Sequence, residues 1–419
     1  MQNVWLLQET LLNWIWNNRR TLLVIIGLSV VALAASSIPI AAVADERTYL
    51  SLASSMLEGS YERFGVPSTF PPPVPLLTAS LQVLFGAEMA FYLGKVVVLA
   101  CGLLGIRVAY LTLLHTQLDK RFVYLCCLLT LASSVVALIL PRLYPDGLIM
   151  LAFWGFAYFY VKPPHTVKHW ILWLLIALCL LFLRYSYGLL GAFIVLQFIH
   201  WIRSHATRKQ VITVIAVAAL LCVPLLLWVN YLTGIETTMD LDQSYFNRYK
   251  DDGIWGNIKF GLGLEQSPEN VRTNGIPAFA STFVPVTGFR SWGLSLTLLA
   301  AIAIGGWSLT CGGNRSLAKL IGKVKDTADV SQQINTSLGS AARKKLLAMM
   351  VLSLLGLVLA GTGFSRYWIS LLPLFWVCLF ATATRLRILP WAILASGLLI
   401  MGYVANNLRL IALVLDKWL

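Results

Sequence analysis

Two carboxylates stand side by side at Asp45 and Glu46, where the first long apolar run of the chain ends. Adjacent acids beside a membrane-length run point to proton transfer, because a carboxylate held within hydrogen-bond reach of a hydroxyl can act as its base. Asp146, in PRLYPDGLIMLAFWGFAYFY, is a further acid at the start of an apolar run. Arg142, Arg184 in LLFLRYSYGLL, Arg290, and Arg366 in GTGFSRYWISLLPLFWV supply cations. The arginine fork matches phosphate oxygens and keeps its charge at any working pH. Plainer readings stand beside these. Asp45 and Glu46 suit the first turn of a helix, where its dipole favours acids by about 0.3 to 1 kcal/mol. Asp146 suits a helix start after Pro145. Arg366 at a membrane edge could snorkel to headgroups.

The elements that position these residues are membrane spans. The chain has 419 residues, of which 58% are hydrophobic and 12% charged, with mean hydropathy +0.76. A soluble core cannot hide that much apolar surface. Apolar runs of span length lie near 21–43, 88–114, 121–140, 145–161, 168–184, 186–203, 210–232, 291–310, 345–362, 365–384 and 388–415, which predicts about eleven transmembrane helices. With the N-terminus inside, Arg19/Arg20, Lys120/Arg121, Lys162/Lys168, Arg203/Arg208/Lys209, the seven basic residues from Arg315 to Lys345, and Arg385/Arg387 all fall on the cytoplasmic side. Asp45, Glu46, Asp146 and most other acids then face outward.

The net charge of +14 therefore follows from topology and contact with the lipid bilayer, and nucleic-acid binding is not indicated. The seven cysteines show no metal-ligand or CxxC spacing and read as small core residues. His115, His165, His169, His200 and His205 fall on the inner side, away from the acids. Residues 1–44 also read as a signal peptide ending Ala42-Val43-Ala44, but the apolar stretch is span-length and further spans follow.

One membrane domain, 1–419, carries three substantial loops. In 44–87, Asp45, Tyr49, Leu52 and Met56 share one helical face, as expected of an interfacial helix ended by the prolines 71–73 and 75. The outer loop 233–290 is too long for a connector, and its Tyr245, Arg248, Tyr249, Trp255 and Lys259 offer aromatic faces and cations to an acceptor. The cytoplasmic stretch 312–344 reads as a solvated linker.

The segment ADERTYLSLASSMLEGSYERFGVPSTFPPPVPLLTASLQVLFG resembles the first extracytoplasmic loop of GT-C glycosyltransferases, in particular the protein O-mannosyltransferase and aminoarabinose-transferase group. The turn at Asp146 and the arginine-tyrosine segment at Arg366 and Tyr367 resemble later elements of the same family. The resemblance implies an all-α polytopic bundle with interfacial helices in the first outer loop. It implies transfer of a sugar from a polyprenyl-phosphate donor to a hydroxyl, amine or phosphate of a protein, lipid or glycan acceptor, outside a bacterial inner membrane. Asp45 would then be the base, with Glu46 as substitute and Asp146 as the second acid. Arg366 and Tyr367 would hold the donor phosphate. Arg184 joins them as an outer-side cation by residue type and position, and Tyr245, Arg248 and Tyr249 face an acceptor by residue type, since the long outer loop matches no family element.

Phosphate is already a good leaving group, so one carboxylate suffices, unlike hydrolysis of an ordinary glycoside. A divalent metal shared by Asp45 and Asp146 stays open. Phe70 occupies a position where some members carry a phosphate-contacting lysine. The alternatives are a lipid or sugar transporter or flippase, which would want ionisable groups near the midplane, and an O-antigen polymerase or ligase type of enzyme. A polyprenyl donor also requires a lateral, apolar-walled groove leading to Arg366 or Arg184.

The charge asymmetry makes a direct prediction. In a cysteine-free background, Ser60→Cys and Lys250→Cys will be labelled by an impermeant maleimide from outside, and Val330→Cys only from the cytoplasm. The reverse pattern overturns the orientation.

Overall fold

The computed structural model describes residues 2–42, 45–204, 206–238, 253–264, 275–286, 288–311, 330–361 and 365–416. Each of the eleven apolar runs carries helix. In chain order the helices are α1 (Gln2–Asn17), α2 (Arg19–Ser37), α3 (Asp45–Leu57), α4 (Pro73–Phe85), α5 (Ala87–Leu114), α6 (Lys120–Ala132), α7 (Ser134–Ile139), α8 (Asp146–Val161) and α9 (Val167–Leu183). They continue with α10 (Gly191–Ser204), α11 (Arg208–Thr238), α12 (Gly253–Leu262), α13 (Gly275–Phe279), α14 (Trp292–Cys311), α15 (Val330–Leu359), α16 (Leu372–Arg385) and α17 (Leu389–Asp416). Short 3-10 segments at Tyr185–Leu190 and Ser365–Leu371 lead into α10 and α16.

Among the described residues, seven helical segments are long and apolar enough to cross a membrane unaided. The protein is an all-helical, polytopic integral membrane protein. The other four expected runs differ for visible reasons. The run 121–140 breaks at Ser133, whose extended backbone separates α6 from α7. The helices α8 and α9 are shorter, and α15 carries Arg343, Lys344 and Lys345.

The loop 44–87 holds more regular structure than its sequence indicates. The prolines do not follow α3 as extended chain; they open α4, with Pro73 at a first-turn position where a missing N–H costs nothing. Between α3 and α4 lies a two-residue hairpin, β1 (Glu62–Arg63) against β2 (Val66–Pro67). Phe64 and Gly65 turn it with φ of 53° and 80°, the paired positive angles of a tight hairpin turn. The buried face of α3 is Glu46, Tyr49, Leu52 and Ala53 rather than the stripe through Asp45 and Met56, so the second acid points inward and the first stays at the surface.

Close helix approach is made by glycines. In lipid, small residues let backbones touch where no hydrophobic drive exists between helices. A Cβ at Gly102 of α5 would meet Leu140, one at Gly105 would meet Met150 and the Leu151 nitrogen, and one at Gly147 of α8 would strike the Val98 carbonyl. Gly356 of α15 meets the Ser186 carbonyl in the same way.

At the basic end, cations close helix C-termini. Arg343 donates to the Thr116 carbonyl at 2.8 Å and the Leu309 carbonyl at 3.3 Å, and Lys345 to the Tyr160 carbonyl at 2.9 Å. Those are the orphan acceptors that favour a positive charge. Helix thus begins at Val330, inside the stretch read as a linker, and residues 312–329 lie outside the described residues.

Gly147→Ala should lower stability by about 1 to 3 kcal/mol, because the new methyl meets backbone, which cannot yield as a side chain can. Gly397→Ala, in open space on α17, should leave it unchanged or slightly raised. Thermal unfolding in detergent checks both; equal melting for the two variants would refute the close-contact account.

Candidate functional site

Four segments converge at one end of the bundle: the start of α3, the turn 140–145 before α8, the end of α9 with its 3-10 turn, and the 3-10 segment 365–371. Glu46 ties the first two together. Its side chain is fully buried; Oε1 accepts the Leu143 N–H at 3.0 Å and lies 3.6 Å from Lys95 Nζ, and Oε2 lies 3.6 Å from Arg142 Nη1. Lys95 also donates to the carbonyls of Ile38 and Ile40 at 3.0 and 2.9 Å, satisfying the chain as it leaves α2. A buried charge is tolerable only when paired and hydrogen-bonded in this way.

Asp45, one residue earlier, turns about 100° around the helix and meets a different partner. Its Oδ2 accepts from Arg366 Nη2 at 2.7 Å, and its side chain keeps 28% of its surface. Arg366 also reaches the Tyr367 hydroxyl at 3.3 Å and lies 4.9 Å from the Tyr144 ring. Arg184, at the end of α9, donates to Asp146 Oδ1 at 2.9 Å and lies 3.9 Å from the Tyr367 ring. The two arginines therefore flank one tyrosine, each stacked on an aromatic face and each held by one acid. The 3-10 segment is fixed by Trp154, which donates to the Ser370 carbonyl at 2.9 Å, and by the Tyr187 and Ser370 hydroxyls at 2.8 Å.

Asp146 is 1% exposed. It begins α8, where the dipole favours it, but instead of capping its own helix it takes the Arg184 side chain. Its Oδ2 finds no donor among the described residues. Burial pushes the Tyr144 phenol upward while Arg366 draws it down, leaving Tyr144 a neutral aromatic face for Arg366 rather than a base.

Arg184 and Arg366 line a cavity of about 380 Å³ together with Tyr49, Thr69, Phe70, Pro71, Tyr185 and Tyr367. Its other wall is apolar, made by Leu183, Gly188, Leu189, Gly356, Leu359 and Ala360, and Leu189 is 40% exposed at the bundle surface. The cavity thus joins two guanidinium groups to the lipid-facing side. Asp45 and Asp146 stand behind the arginines and do not line it.

Of the residues expected to act together, Asp45, Asp146, Arg184, Arg366 and Tyr367 are brought together. Glu46 is turned into the protein. Arg142 goes to Glu46, and Arg290 is exposed and does not line the cavity. Tyr245, Arg248 and Tyr249 lie outside the described residues; from their loop it is Asn257 on α12 that lines the cavity, while Trp255 is 66% exposed. Phe70 lines the cavity too, with the Arg63 guanidinium 5.6 Å from its ring. Sequence reasoning missed Lys95 and Tyr144. The signal for Lys95 was available, since an ionisable residue inside an apolar run demands a partner.

Three acids (Asp45, Glu46, Asp146) meet four cations (Lys95, Arg142, Arg184, Arg366), one positive charge in excess. Each acid already faces a cation, and no group of three or more His, Cys, Asp or Glu side chains converges among the described residues. Such a donor set suits an anion better than a divalent metal.

No family model and no curated protein matches the chain. Two solved structures are similar to it, both of ArnT from Cupriavidus metallidurans. The one bound to undecaprenyl phosphate is 14% identical with a TM-score of 0.47, over 94% of this chain and 76% of that one. The apo form is 13% identical with a TM-score of 0.38, over 88% and 78%.

Glu46→Ala should cost about 3 to 5 kcal/mol, because it strands Lys95 without its carboxylate. Asp45→Asn, at a half-exposed pair, should cost about 1 kcal/mol or less. Melting temperatures of the purified variants separate the two, and similar losses would contradict the division of labour between the neighbouring acids.

Proposed function

We propose that the protein is a GT-C type glycosyltransferase that moves a sugar from a polyprenyl-phosphate donor to an acceptor hydroxyl, amine or phosphate. The observation that carries this reading is the cavity in which two arginines meet an apolar wall that reaches the bundle surface at Leu189. A polyprenyl phosphate has that dual character: its chain belongs in lipid and its headgroup needs a fixed, charged fork. The protein, lipid or glycan acceptor enters from the aqueous side, where loop 233–290, with Tyr245, Arg248 and Tyr249, would receive it. The charge asymmetry supports placing this side outside a bacterial inner membrane, so that the sugar arrives on a lipid rather than on a cytosolic nucleotide.

The reaction is a direct displacement. Arg184 and Arg366 take the phosphate oxygens of the donor. Arg366 has five N–H donors, but its Nη2 is engaged with Asp45 before the donor arrives. Phosphate competes for that group and releases the carboxylate. Asp45 then takes the acceptor proton as the acceptor oxygen or nitrogen bonds to the anomeric carbon. The bond from that carbon to the phosphate oxygen breaks with its electron pair remaining on the phosphate, which the two arginines stabilise as charge develops. Backside attack inverts the configuration. Asp146 holds Arg184 in its stacked position over Tyr367, and Glu46 holds α3 so that Asp45 faces Arg366.

With radiolabelled polyprenyl-phosphate sugar in proteoliposomes, Asp45→Asn should lower turnover about a hundredfold or more while the protein stays folded. Retention of more than about a tenth of wild-type turnover would remove Asp45 as the base. Arg366→Lys should raise the donor KM, because a point charge loses the fork geometry; unchanged donor saturation would sink its assignment to phosphate.

A further inference from the structure

A second cavity, of about 410 Å³, lies at the basic end of the bundle between α1, α2, α5 and α6. It contains Arg19 and Arg107 and is faced by Trp16, Tyr110 and Tyr124. Arg107 sits on α5 seven residues before Leu114, so its Cα is about 10 Å inside the end of a membrane helix at 1.5 Å per residue. The residue is exposed on the lipid-facing side. A cation at that depth is expensive unless an anion meets it.

Among the described residues no carboxylate pairs with it. The nearby acids Glu9 and Asp119 are both taken by Arg121, Glu9 at 2.9 Å. Neither Arg19, Arg107 nor the neighbouring Lys120 has a carboxylate within ion-pair distance among the described residues. They rest on aromatic faces instead: Arg19 is 4.6 Å and Lys120 4.9 Å from the Trp16 ring, and Arg107 5.4 Å from the Tyr110 ring. The remaining walls include Leu23 and Leu103, which are 46% and 36% exposed to the bilayer flank. Arg19, which also donates to the Trp16 carbonyl at 2.7 Å, and Arg107 thus line a pocket walled by leucines, with Lys120 nearby across the Trp16 ring.

The geometry points to a binding site for an anionic phospholipid of the cytoplasmic leaflet, separate from the donor cavity, with the headgroup phosphate between Arg19 and Arg107 and an acyl chain against Leu23 and Leu103. A bound lipid would brace α1 and α2 against α5 and satisfy Arg107 where the protein does not. The site rests on the inside-positive orientation but not on the proposed transfer reaction. Transfer activity and lipid retention can therefore fail independently.

The test is native mass spectrometry of the full-length protein released from detergent, after equilibration with phosphatidylglycerol or with phosphatidylcholine of the same acyl chains. The wild type should retain phosphatidylglycerol preferentially. Arg107→Gln should reduce retention roughly fivefold and the Arg19→Gln, Arg107→Gln double variant roughly twentyfold, as expected from the loss of one and two cations near an anionic headgroup. Leu103→Trp should reduce it by filling the pocket without changing charge, and Arg20→Gln, outside the cavity, should not. Equal retention of the two lipids by wild type, unchanged retention in Leu103→Trp or the double variant, or displacement by excess inorganic phosphate, which marks a free-anion site, would each overturn the proposal. The lipid comparison on wild type keeps it falsifiable even where a variant fails to fold.

Discussion

Glu46 is a carboxylate with no exposed surface, and much of the site depends on how that charge is met. Lys95 from α5, Arg142 from the turn before α8 and the Leu143 N–H all converge on it. Taking such a charge out of water is costly, and removing any one partner leaves the rest uncompensated. The start of α3, the first third of α5 and the entry to α8 are thereby held in one arrangement. Asp45 and Asp146, on either side of this knot, are each fixed further by an arginine, Arg366 and Arg184.

Those two acids are used differently. Asp146 is buried and locks Arg184, while Asp45 is half-exposed and shares Arg366 with the cavity. Both arginines lie against Tyr367, and a weakly hydrated guanidinium gains from such an aromatic face. The result is a pre-organised fork for an anion, neutralised by carboxylates until the anion arrives. In the proposed reaction that neutralisation has a purpose: the same phosphate that takes Arg366 frees the base.

The helical class and the position of every apolar run could be read from hydropathy, because a bilayer imposes one length and one backbone solution. The grouping of Asp45, Asp146 and Arg366 rests on the family resemblance, and Arg184 on its residue type at the same end of the spans. What hydropathy could not give was which of two adjacent acids turns inward. The one-residue offset between Asp45 and Glu46 is about 100° of helix rotation, and it is decided by Lys95, a residue hidden inside an apolar run. Loop 44–87 departs from the pattern of its prolines, because Pro73 starts α4 rather than breaking a helix. The linker reading of 312–344 missed that Arg343 and Lys345 are drawn into the fold by unsatisfied helix carbonyls, a role that net charge alone does not reveal.

The most direct test of the central claim is a cryo-EM structure of the full-length protein with a polyprenyl phosphate. The account predicts phosphate density bridging Arg184 and Arg366, the chain leaving past Leu189, and an Asp45 carboxylate no longer paired with Arg366. Phosphate density elsewhere, or bound in the cavity with the Asp45–Arg366 pair intact, would contradict it.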